Sequence, residues 1–239
     1  MNMLGSAPRR FYKIVATTKG AGGWNVTLDG KLLRSPAKKD FNLPTQALAQ
    51  GIAAEWDAQL EQIRPNSMPL MQLAATAIDR IGPERARIVA DVAGYGGTDL
   101  VCYRASQPPA LVEREAQAWD PLLDWLRRRY DVSLKATSGI VAVEQPKATM
   151  EALTRVVEGH DDFALGCLAT MVHAVGSLVI GLAVAEGEIT PEQAAHAAQL
   201  DELYQAERWG EDKEAVDRRV AQLAELVAAR RFFDLLAQD

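Results

Sequence analysis

The chain has 239 residues, 48% of them hydrophobic and 24% charged, with a formal net charge of −6; that length buries a sizeable core without staples. The acidic balance excludes a basic nucleic-acid footprint, and the one cationic run, RRRY at 127–130, is placed to end a helix, where positive charge suits the dipole. The two cysteines, Cys102 and Cys167, lie in apolar surroundings outside any C-x-x-C spacing and read as reduced core thiols.

The opening residues, MNMLGSAPRRF, hold no apolar signal core, so no secretory signal is expected. Residues 10–18 and 23–36 read as strands joined by a KGAGG turn, and Asp29-Gly30 is a second tight-turn signal inside the latter. Residues 43–60 are predicted helical, with Leu48, Ile52, Trp56 and Leu60 near helical spacing. A second helix over 68–81 is stopped by Gly82-Pro83, and Pro83 suits the first turn of a third. TDLVCYRA (98–105) reads as a strand buried on both faces. Residues 108–130 form a helix interrupted or bent at Pro121, and 131–143 read as two short strands around Ser138-Gly139. After Pro146 the strand signals cease. Residues 147–158 are helical, and 163–185 carry no charge at all. That stretch is long enough for a bilayer, but its flanks are acidic and lack an aromatic belt, so a central buried helix is expected. Thr190-Pro191-Glu192-Gln193 is a capping-box start for a helix running to Trp209 and closed by Gly210. A last helix covers about 213–237. The expected fold class is α+β: a small N-terminal β-sheet with helices (1–146), then an all-helical C-terminal domain (147–239).

Chemical motifs are sparse. KGAGG separates two strands, whereas a phosphate cradle needs strand, loop and then helix. The three histidines, His160, His173 and His196, have no second His or Cys at i+3 or i+4, so no metal site is expected; no cofactor motif appears either. His173 reads as a hydrogen-bonded core residue. An enzyme of unrecognised type, using Cys102, His173 or Glu202 in a pocket between the two domains, stays open as the alternative.

The stretch LDELYQAERWG (200–210) is more informative. On a helix, Leu200, Leu203 and Tyr204 share one face, and Glu207 lands among them. Glu202 falls on another line with Ala195, Ala198, Ala206 and Trp209, while Asp201, Gln205 and Arg208 form a polar face. Carboxylates beside apolar stripes need partners, either within the chain or on another molecule. Arg104 and the arginines of 127–129 are the internal candidates for Glu202.

Several segments, kept in order, carry a resemblance. RFYKIVATT with GWNVTLDGKLLRSP, EWDAQ, TDLVCYRA, WDPLLDW and YQAERWG are similar to the ATP-twelve family of assembly chaperones for the catalytic head of F-type ATP synthase. The resemblance implies a binding protein and not an enzyme. It implies a chaperone that holds the unassembled alpha subunit until it pairs with beta. It also places importance on the acidic residues before W-G, matched here by Asp201 and Glu202 with Glu207 nearby. Tyr204 and Trp209 are the aromatic candidates for partner contact. The expected molecule is monomeric when free and not membrane-spanning. It works in the bacterial cytoplasm, or in the mitochondrial matrix if eukaryotic.

Overall fold

The computed structural model describes residues 8–139 and 142–238. The chain divides into two compact units, Met1–Pro83 with Arg231–Asp239, and Glu84–Arg230. Residue 146, where a boundary is expected, marks the point after which only helices follow.

In the first unit, β1 (Val15–Gly20), β2 (Gly23–Leu28) and β3 (Lys31–Leu32) form an antiparallel sheet in sequence order. The strands are shorter than 10–18 and 23–36. Asp29 (φ 49) and Gly30 (φ 79) make the two-residue turn between β2 and β3, both in the left-handed region that this turn requires. The Asp29 carboxylate also accepts the Lys13 and Ile14 amides at 3.0 and 2.8 Å. These bonds hold Asp29 below the usual carboxylate range. Val26 and Leu28 are buried on the sheet packed by α1 (Gln46–Asp57), which buries Leu48, Ile52 and Trp56. Thr45 caps α1 by accepting from the Leu48 amide, and its hydroxyl donates to the Leu235 carbonyl at 2.7 Å. The end of the chain thereby joins this core, and Phe232 is fully buried. Glu55 of α1 accepts the Leu70 and Met71 amides, each at 2.8 Å, at the start of α2 (Pro69–Thr76). Gly82-Pro83 does not stop the next stretch: a π-turn at 77–81 leads directly into α3 (Gly82–Gly94), and the break falls at Glu84 (φ −111, ψ 15).

In the second unit, residues 98–105 are not the expected long strand. Leu100, Val101 and Cys102 form a 3-10 turn, and only β4 (Tyr103–Arg104) pairs, in parallel, with β5 (Thr137–Ser138). Asp99 is the cause. Its buried carboxylate accepts from the Val101 amide at 3.3 Å, the Ser177 hydroxyl at 2.5 Å and the Val179 amide at 3.0 Å. A strand cannot turn that side chain back onto its own amides. Burial lifts the Asp99 pKa to about 6 against these bonds. The second short strand expected after Gly139 begins on residues 140–141, outside the described residues.

The helices are α4 (Pro109–Tyr130), α5 (Lys147–Glu158), α6 (Asp162–Val175), α7 (Leu178–Ala185), α8 (Pro191–Ala198), α9 (Leu200–Trp209) and α10 (Lys213–Leu236). α4 runs continuously through Pro121. The uncharged stretch is two helices, not one. Gly176 (φ 68) terminates α6, and Ser177 caps α7 by accepting the Ile180 amide at 3.0 Å. Every residue from Leu178 to Val184 is buried. Among the described residues no helix is long and apolar enough to cross a membrane.

Candidate partner-binding surface

The helix expected from Thr190 to Trp209 breaks at Gln199 (φ −105, ψ 11) into α8 and α9. Its start is as expected, since Thr190 and Gln193 form the capping box. At the break, Trp119 of α4 donates its indole N–H to the Ala197 carbonyl at 2.8 Å. A buried acceptor near a helix end is thereby satisfied from a neighbouring helix.

Leu200 and Tyr204 are buried on one face of α9. Arg114 and Arg208 place guanidinium groups over the Tyr204 ring, 5.1 and 4.0 Å from its centroid. Glu207 accepts from Arg114 Nη1 through both carboxylate oxygens at 2.8 Å. Glu202 faces α10, where Arg218 lies at 2.8 Å and Arg219 at 3.7 Å. The internal partner of Glu202 is therefore neither Arg104 nor an arginine of 127–129. Arg104 pairs with Asp120 at 2.9 Å and lies over the Trp119 ring, while Arg127 and Arg129 pair with Asp124 and Glu186. Trp209 is 78% exposed at the end of α9.

Asp201 meets an unexpected neighbour. Glu115 of α4 is completely buried; its Oε2 accepts the Ala105 amide at 2.8 Å, and its Oε1 is buried without a hydrogen bond of ordinary geometry. Burial, reinforced by the Asp201 carboxyl, raises Glu115 to about 7, against the Ala105 amide and the Arg104 charge. Two carboxyl groups in contact favour keeping one proton between them. The sequence holds a signal for Glu115, which was not among the candidates: it sits on the stripe Leu111, Glu115, Trp119, Leu122, Leu126, all buried.

Beside this surface runs a groove between α4 and the α8–α9 pair. It consists of two hollows of about 440 and 400 Å³ that share Gln117, Ala118 and His196 in their linings. No single-residue motif marks it, because a groove arises only where distant helices meet.

Of the residues in the enzymatic alternative, Glu202 pairs with Arg218. His173 is half-exposed, not in the core, and its Nε2 lies 2.9 Å from Asp91. Burial, with Asp99 nearby, pushes the Cys102 thiol up to about 12, which keeps it protonated and unreactive near neutral pH. Burial also raises the Cys167 thiol. Among the described residues no three His, Cys, Asp or Glu side chains cluster to hold a metal ion.

Residues 9–127 match the family model described as ATP12 chaperone protein. Over 223 residues the chain is 27% identical to Protein atp12, mitochondrial, of Schizosaccharomyces pombe, covering 87% of this chain and 77% of that protein. The solved structure of Atp12 from Paracoccus denitrificans is 42% identical, with a TM-score of 0.93 over 96% of this chain and 98% of that one. An aspartate-to-lysine variant of the P. denitrificans protein superposes equally well, at 41% identity and a TM-score of 0.93, over the same shares of the two chains. Sequence and backbone agree over almost the full length, and the chain belongs to the ATP12 chaperone family.

Proposed function

We propose that this protein binds the unassembled alpha subunit of F-type ATP synthase, keeps it from aggregating, and yields it to beta. It acts without turnover, as a monomer when free, and in the bacterial cytoplasm or, in a eukaryote, the mitochondrial matrix. The contact surface is α9: Trp209 anchors the client, Asp201, Glu202 and Glu207 set its register, and Tyr204 supports the helix from beneath.

The observation that carries this reading is Trp209, a large aromatic left 78% exposed at a helix end within a chaperone family. Covering roughly 150–200 Å² of indole at about 25 cal/mol per Å² stabilises a complex by ~4 kcal/mol. Exposed ion pairs contribute only about 0–1 kcal/mol each, so the carboxylates orient the client more than they hold it. Glu202 is free to exchange Arg218, itself largely exposed, for a client cation.

The test is co-expression with the alpha subunit followed by size-exclusion chromatography. The wild type is expected to co-elute with soluble alpha subunit in stoichiometric amount. Trp209→Ala is expected to weaken binding at least ten-fold with an unchanged melting temperature, and Glu202→Lys to lose client rescue while remaining folded. If Glu202→Lys unfolds the protein, the carboxylate serves the internal pair instead. If no alpha subunit stays in solution, the reading fails.

A further inference from the structure

The groove between α4 and α8–α9 has an apolar floor and an acidic rim. Ala118, Leu122, Ile189, Leu200 and Leu203 contribute apolar surface along its length. From Arg114 to Leu122 it follows α4 for about two turns, roughly 12 Å at 1.5 Å per residue. Pro121 in its wall has no N–H to give the Gln117 carbonyl one turn back. Two carboxylates stand along the lining. Glu207 is held by Arg114 in a pair whose two side chains are 55% and 46% exposed, and such a pair exchanges partners at little cost. Glu192 has no lysine or arginine within ion-pair distance among the described residues. Hydrogen bonds from Thr190 and from its own amide lower its pKa and keep it ionised. The lining thus sets two glutamates, Glu192 and Glu207, against one arginine, Arg114.

We propose that this groove takes a short segment of the client chain, one that seats an apolar side chain between Ala118 and Leu203 and presents a lysine or arginine to Glu192. It is a second contact, separate from the Trp209 end of α9, and it rests on the chaperone reading above. An apolar floor supplies affinity, while an acidic rim selects for a cationic donor. The two contacts lie on the same helix pair, so one client engages both and gains avidity from their linkage.

The experiment uses full-length protein and purified alpha subunit. A photo-crosslinking residue is placed at Gln117, which is exposed and lines both hollows, and in a second sample at Trp209. Crosslinked peptides are then identified by mass spectrometry. The expected result is one client peptide at Gln117 that contains an apolar residue beside a lysine or arginine, distinct from the peptide captured at Trp209. In parallel, His196→Trp fills the groove from an exposed position and should weaken binding at least ten-fold. Glu192→Lys should weaken it three- to ten-fold at low salt, with the difference shrinking at high salt. If Trp209 captures client and Gln117 does not, or if both groove variants bind like wild type while Trp209→Ala does not, the groove proposal is overturned and the chaperone reading stands. If neither position captures client and no complex elutes, both fall. Should either groove variant fail to fold, the Gln117 crosslink alone decides.

Discussion

Glu115 is a carboxyl group with almost no access to water, and Asp201 approaches it from α9. Its pKa in the folded state, about 7, lies above its ordinary 4.5. Between those values the folded chain keeps a proton that the unfolded chain has released, so folding stability declines as pH rises through that window and levels off above it. Glu115→Gln keeps the acceptor for the Ala105 amide and removes the titration. The variant should therefore melt higher than wild type at pH 8 and match it at pH 4, as measured by thermal denaturation; at roughly 2–4 °C per kcal/mol the difference is easily resolved. The position of this acid was readable in the sequence as a charge on an apolar helix stripe. Its neighbour was not, because pairing between α4 and α9 spans 86 residues of chain (201 − 115). The same holds for Glu202: local periodicity isolates it from Leu200 and Tyr204, yet only the folding of α10 against α9 names Arg218 as its partner.

At the level of helices and strands, the elements with local punctuation were legible. The Asp29-Gly30 hairpin and the Thr190–Gln193 capping box appear where their turn and cap chemistry requires. The misread elements have non-local causes. TDLVCYRA has strand composition, but the buried Asp99 binds Ser177 and Val179 from a distant part of the chain and curls the segment into a turn. The break between α8 and α9 carries no glycine or proline; Trp119 stabilises it from outside by bonding the Ala197 carbonyl. Trp119→Phe retains most of the buried ring and deletes that donor. Leaving the buried carbonyl unpaired costs about 1–3 kcal/mol, and urea denaturation followed by circular dichroism should show a lowered midpoint with an unchanged slope. The loss should fall on α8 and α9, where amide exchange would quicken before it does in α6 or α7.

Across the whole molecule, the division into compact units does not follow chain order. Residues up to Pro83 share a unit with those from Arg231 onward, while Glu84–Arg230 form the other. Sequence patterning located the change from mixed to purely helical elements but gave no hint of this return, since α10 is patterned as one uninterrupted helix. The tail matters to the first unit through Phe232, which is fully buried, and Leu235, whose carbonyl receives the Thr45 hydroxyl. Deleting residues 231–239 removes both. Loss of one buried phenylalanine alone typically costs about 3–5 kcal/mol, so the shortened protein should show accelerated amide exchange across α1, with α6 and α7 protected as before. The order of synthesis gives this arrangement a temporal meaning. On the ribosome β1 to β3 and α1 emerge long before Phe232, which belongs to the same unit. Until Phe232 is made that sheet and helix stand unfinished, while Glu84–Arg230, the stretch between, already has every residue of its own unit.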